Sequence, residues 1–173
     1  MSLVDPIRYR EGGIDEATTR EVRRIKARVE SERLPRGVDP MRHLKLGRGA
    51  ITDVEWLVQL WQMQYGGEHK ELRTTETLAG LYAAQNLGLV DEEDCETLAS
   101  AWVFASKLRD AIVLWTGRVG GAAADVLPSD RRDLNGIARV LHYPIGEAAT
   151  LEEDYLRRAR RSRNVMEKLF YGY

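Results

Sequence analysis

Apolar residues along the chain recur at intervals of three and four, not at every second position, and this spacing predicts helices throughout. Nothing in the chain reads as a strand. Proline is confined to positions 6, 35, 40, 128 and 144, which leaves long uninterrupted segments for those helices. The first is expected from near Asp15 to about Leu34, with Val22, Ile25 and Val29 on its buried stripe. Arg20, Arg23, Arg24, Lys26, Arg28 and Glu30 fall outside that stripe, and Pro35 and Gly37 end the helix. A linker from Pro35 to Gly49 leads into a helix from Ile51 to Tyr65, stopped at Gly66-Gly67.

Thr74 or Thr75 can cap a short helix whose Leu78, Leu81, Tyr82 and Gln85 precede a stop at Gly88. Asp91 followed by Asp94 opens a long helix with Leu98, Trp102, Ala105, Leu108, Ile112 and Trp115 on one side, ending at Gly117. Arg118 to Pro128 is rich in small residues that offer little area to bury, so it reads as a mobile loop. Ser129 then caps a helix through Leu141. Thr150 and Glu153 form a capping box for a last helix with Leu151, Tyr155, Ala159, Ser162, Met166 and Leu169 inside. The expected fold is all-α, a single bundle of about six helices packed ridge into groove.

Composition narrows the class without naming a function. A chain of 173 residues supports one domain with a sizeable core. With 26 Lys+Arg against 27 Asp+Glu, nothing in the net charge calls for nucleic acid or a membrane surface. Cys95 is the sole cysteine, which excludes an internal disulfide and points to a reducing, cytoplasmic compartment. No run is long enough for a membrane-spanning helix.

The helix at Ile51 brings in the candidate chemistry, because Asp53-Val54-Glu55 imitates the one-apart carboxylate pair with which nucleotidyltransferases hold magnesium. That pair works on a strand, where alternate side chains share a face. Here Val54, Leu57, Val58, Trp61 and Tyr65 follow a helical period, and on a helix Asp53 and Glu55 diverge by about 160°, so they cannot share an ion. Thr52, Glu55, Gln59 and Gln62 form one polar stripe, while Asp53 stands apart. Two readings follow. The carboxylates pair within the bundle, with arginines such as Arg73 or Arg109, or the stripe faces a second domain.

Gly47 and Gly49 precede the helix N-terminus, where free N–H groups could receive a phosphate; most such glycines serve turns and close approach. His43, His69 and His142 sit in separate segments without ligand spacing, which argues against zinc. The arginine run Arg157 to Arg163 occupies the outer positions of the last helix and reads as a solvated face or an interdomain salt-bridge surface.

The stretch Gly49-Ala50-Ile51-Thr52-Asp53-Val54-Glu55-Trp56, then Gln59, resembles the Gly-Gly-Ile-x-Asp-Ile-Glu-Phe-x-x-Gln signature of the helical domains of the glutamine synthetase adenylyltransferase/adenylyl-removing enzyme family. Ala50 and Trp56 are departures from it. The likeness continues through Glu71–Asp94 and Val126–Pro144, and the actinobacterial members read most like the chain as a whole. That family has two nucleotidyltransferase domains, each followed by a helical domain. Ile51-Thr52-Asp53 resembles the C-terminal, adenylylating copy, and "NVMEKLFYGY" reads like a protein's end.

The resemblance implies that residues 1–14 end a linker from a nucleotidyltransferase domain and that residues 15–173 form its helical companion. It also implies that magnesium and ATP bind the catalytic domain, so that no catalytic residue or metal ligand lies in this chain, which alone should be inactive. Lys45, Gly47, Gly49, Asp53, Glu55, Gln59 and Arg73 are the expected interdomain or nucleotide-proximal residues. The implied partners are that domain, glutamine synthetase and the PII nitrogen-signalling protein. The competing reading is a free-standing helical interaction module that binds through the polar stripe and the arginine helix.

Overall fold

The computed structural model describes residues 4–119 and 122–172, and among them the backbone is helical with no sheet. After a single turn, α1 (Asp5–Arg8), come α2 (Glu16–Glu32), α3 (Ile51–Tyr65), α4 (Thr77–Asn86) and the long α5 (Glu92–Thr116). A second single turn, α6 (Ala122–Asp125), precedes α7 (Arg131–Val140) and α8 (Ala148–Met166), which widens into a π-type turn over Glu167–Tyr171. All six expected helices are present.

Their ends follow local hydrogen bonding. The Asp15 carboxylate accepts the Thr18 N–H at 2.8 Å to start α2, and Asp91 accepts that of Asp94 at 2.8 Å to start α5. Three starts differ from expectation. Asp130, not Ser129, caps α7, because its carboxylate takes the N–H groups of both Arg132 (2.9 Å) and Asp133 (3.1 Å). α8 begins at Ala148, and the Thr150 hydroxyl bonds the Glu147 carboxylate instead of opening the helix. α4 begins at Thr77, and the Thr74 hydroxyl accepts the Glu76 N–H at 3.1 Å just before it.

Two apolar clusters meet at Trp102 on α5. The first joins Val54, Leu57 and Trp61 of α3 to Leu81 of α4, Leu98 of α5 and Met166 and Phe170 at the chain's end. The second joins Ile51 to Leu108 and Ile112 of α5, Ile137 of α7, and Leu151 and Tyr155 of α8. Each such side chain contributes about 1.5–3 kcal/mol by leaving water, so α3, α5 and α8 form the rigid centre.

The apolar stripes held with local exceptions. Tyr65 and Trp115, expected inside, are each partly exposed at helix ends. On α2, Val22 packs on the first cluster, but Ile25 and Val29 are only half-buried, and Lys26, expected outside, is buried with 1% exposure. The segment read as a mobile loop is partly organised: Leu127 is wholly buried, Val126 pairs with His43 across one backbone bridge, and Arg42 Nε donates to the Leu127 carbonyl at 3.1 Å. That expectation also covered Gly120 and Gly121, which lie outside the described residues.

Candidate functional site

The loop Lys45–Gly49 and the first turn of α3 form one hydrogen-bonded unit. Ile51 N–H donates to the Leu44 carbonyl at 3.2 Å, and the Lys45 carbonyl accepts both the Thr52 N–H (3.0 Å) and its hydroxyl (2.7 Å). The donors that a phosphate would need at this helix N-terminus are therefore engaged with the loop. Gly47 and Gly49 serve close approach instead. A Cβ on Gly47 would stand 2.2 Å from the His43 carbonyl oxygen, and one on Gly49 1.8 Å from that of Ala159 on α8.

His43 anchors the other end of the loop. It is buried, and its Nδ1 accepts the N–H groups of Leu46 (3.1 Å) and Lys45 (3.3 Å), which requires that nitrogen to be unprotonated. Burial pushes its pKa below the usual histidine value, against the opposing pull of Asp125. The unfolded chain therefore binds a proton that the folded chain refuses, so this contribution to stability is full above the ordinary histidine pKa of about 6.5 and is lost as pH falls through it. Thermal melts should show a falling Tm between about pH 7 and pH 5.5, with a shallower fall in His43→Gln; equal slopes would remove His43 as the cause.

Asp53 is wholly buried and points inward. Its carboxylate accepts the Gly49 N–H at 2.7 Å, Lys26 Nζ of α2 at 2.5 Å and Arg163 Nη1 of α8 at 3.1 Å. Arg163 also reaches Glu30 (2.6 Å) and Glu167 (2.7 Å), and Lys26 bonds Glu30 one turn along its own helix. Burial opposes the charge on Glu30, but hydrogen bonds from Lys26 and Arg163 outweigh it and hold this carboxyl below the usual range. Arg163 is raised despite its burial, by Glu30 and Asp53.

Asp53 thus pairs inside the bundle, though with Lys26 and Arg163 rather than Arg73 or Arg109. Arg73 donates to the carbonyls of Gly66 (2.6 Å) and Gly67 (2.8 Å), with its guanidinium 5.5 Å from the centre of the Tyr9 ring. Arg109 pairs with Asp125 at 2.6 Å. Arg163, expected on an outer face, is the member of the arginine run that turns inward, whereas Arg160 and Arg161 are exposed.

Glu55 points elsewhere. It is half-buried and, among the described residues, makes no ion pair within 4.0 Å. Burial raises its pKa, countered incompletely by Lys45, by the nearby indole N–H of Trp102 and by Arg109. The Trp102 N–H itself completes no hydrogen bond. Gln59 is exposed and separates two adjoining clefts, one of about 300 Å³ against Ile7–Arg10 and Ile14, the other of about 150 Å³ against Thr74–Thr77. Gln62 leaves the stripe: it is buried, and its Nε2 donates to the Leu72 and Thr74 carbonyls at 2.8 Å each.

The structure therefore brings Lys45, Glu55 and Gln59 to an outer face and spends Gly47, Gly49, Asp53 and Arg73 inside. Lys26, Glu30 and Arg163 were not singled out as partners from the sequence. A signal was available: Lys26 lies four residues after Val22 and three before Val29, within the apolar stripe, and Arg163 lies four after Ala159.

The signature helix of this all-α bundle thus commits its aspartate to internal ion pairs and leaves Lys45, Glu55 and Gln59 on an outer face. Residues 20–170 match the family model described as GlnD PII-uridylyltransferase, and the chain belongs to that family. It is 54% identical over 171 residues to a bifunctional glutamine synthetase adenylyltransferase/adenylyl-removing enzyme of Leifsonia xyli subsp. xyli, covering 99% of the chain and 16% of that protein. The enzymes of the same description from Streptomyces coelicolor (50%) and Mycolicibacterium smegmatis (44%) match over 172 residues, 99% of the chain and 17% of each protein. The chain thus spans about one sixth of the length of these relatives.

Proposed function

We propose that the chain is the helical portion, at residues 15–173, that accompanies the adenylylating nucleotidyltransferase domain of a glutamine synthetase adenylyltransferase, in its C-terminal copy. Residues 1–14 then join it to that domain. The supporting observation is 54% identity with such an enzyme over 99% of the chain, a span that includes the Gly49–Gln59 stretch. The whole enzyme would transfer AMP from ATP to a tyrosine of glutamine synthetase in the cytoplasm, with ATP and magnesium held by the other domain. This chain's part is to present Lys45, Glu55 and Gln59 from a rigid loop and helix to that domain near its cleft; alone it is inactive. The PII signalling protein is a further proposed partner of the whole enzyme.

A carboxylate that burial disfavours, and that lacks an ion pair in the isolated bundle, suits an interface where a donor arrives from the partner. Two measurements on Glu55→Gln separate this role from a structural one. In the 173-residue chain the substitution removes a charge whose folded pKa is raised, a penalty present above the ordinary carboxylate range, so the urea midpoint at pH 7 should hold or rise. In the full-length enzyme adenylylation should fall by about tenfold, the effect of one lost charge-assisted hydrogen bond of roughly 1.4 kcal/mol. If stability falls as much as activity, Glu55 is a structural residue and the interface reading is wrong. A full-length enzyme that adenylylates normally without this segment would refute the proposed function itself.

A further inference from the structure

We propose that α2 is a detachable strap, held on the bundle by an ionic clasp in which every charge keeps an opposite partner when the helix leaves. Of its 17 residues only Thr19 and Lys26 are buried, and its apolar side chains Val22, Ile25 and Val29 are only partly so, which keeps the apolar area opposing its release modest. Its anchors are polar: Arg23 Nε donates to the Phe170 carbonyl at 2.5 Å, Lys26 reaches Asp53 and Glu30 reaches Arg163. Its C-terminal half stands off from the Lys45–Gly49 loop across an open gap of about 380 Å³ lined by Ala27, Glu30, Ser31, Leu34, Pro40 and Leu46. The segments at either end, residues 10–15 and 33–39, contain no helix that would have to unwind.

A buried ion pair normally locks an element in place, because removing one partner leaves a charge stranded in low dielectric. This network is divided so that separation strands none. Lys26 and Glu30 are one turn apart on α2 and leave as a neutral pair into water. Asp53 stays behind with Arg163 and the Gly49 N–H, and Arg163 keeps Glu167 as well. Each half is satisfied in both states, which is what a two-state element requires. Release uncovers the Asp53–Arg163 pair at the base of the Lys45–Gly49 loop, so the position of α2 would govern access to that side of the loop.

Hydrogen–deuterium exchange of the whole 173-residue chain over a series of low urea concentrations tests this. The expected result is that amides from Arg20 to Val29 exchange about tenfold or more faster than the protected amides of α3, α5 and α8, with weak urea dependence, the mark of local opening. Lys26→Met should speed exchange in α2 further, by about tenfold, while α3, α5 and α8 change by less than about threefold. Either of two results overturns the strap: α2 amides of the unaltered chain following the same urea-dependent unfolding as α3 and α8, or Lys26→Met raising exchange in all helices together or slowing it in α2. If the variant does not fold, the urea series on the unaltered chain still decides.

Discussion

Gly49→Ala is expected to destabilise the 173-residue chain by on the order of 4 kcal/mol, enough to leave a marginal domain largely unfolded. Two independent costs combine. Gly49 has φ +72°, a conformation that costs an L side chain about 1–2 kcal/mol, and the new Cβ would meet the Ala159 carbonyl oxygen at 1.8 Å. That oxygen belongs to the backbone of α8, so no rotamer change relieves the clash; the loop and α8 must move apart. Gly136→Ala is the natural control. Its Cβ would meet the Trp115 ring at 2.0 Å, but that side chain is 40% exposed at the rim and can swing away. A loss of about 1 kcal/mol is expected there. Urea melts of the two variants check the contrast, and equal losses would mean that the Gly49 contact is not rigid.

Asp53→Ala should cost about 3 kcal/mol, because the carboxylate is the shared acceptor of Lys26, Arg163 and the Gly49 N–H. Lys26 can escape to water if α2 lifts, which caps its share of the penalty. Arg163 stays in place on α8 with Glu30 and Glu167 as its remaining partners, and the buried Gly49 N–H is left without its acceptor. Asp53→Asn keeps an oxygen for that N–H and should lose less. The reading of Asp53 as a structural clamp fails if Asp53→Ala melts within about 0.5 kcal/mol of the parent. Asp53 and Glu55 should then separate cleanly by assay: the first loses stability, the second activity in the full-length enzyme.

Much of this was legible in the chain. The helical spacing around Ile51–Tyr65 was enough to reject a shared metal site for Asp53 and Glu55, and the structure turns one inward and the other to the surface. The caps at Asp15 and Asp91 were readable because capping is a contact between near neighbours. The start of α7 was missed by one residue and that of α8 by three because several polar side chains compete there, and the choice depends on how the chain enters the bundle.

The sequence by itself determined the helices, their inner stripes and the signature of the family, since these rest on spacing and on short-range hydrogen bonds. Only the tertiary structure decided which contacts the signature residues make. Gly49 touches Ala159, 110 residues later, and Asp53 meets Lys26, 27 residues earlier, and Arg163, 110 residues later. Helix periodicity says which way a residue faces but not which helix faces it. The pairing of charges is fixed by how α2, α3 and α8 pack, and that was not written in any one of them.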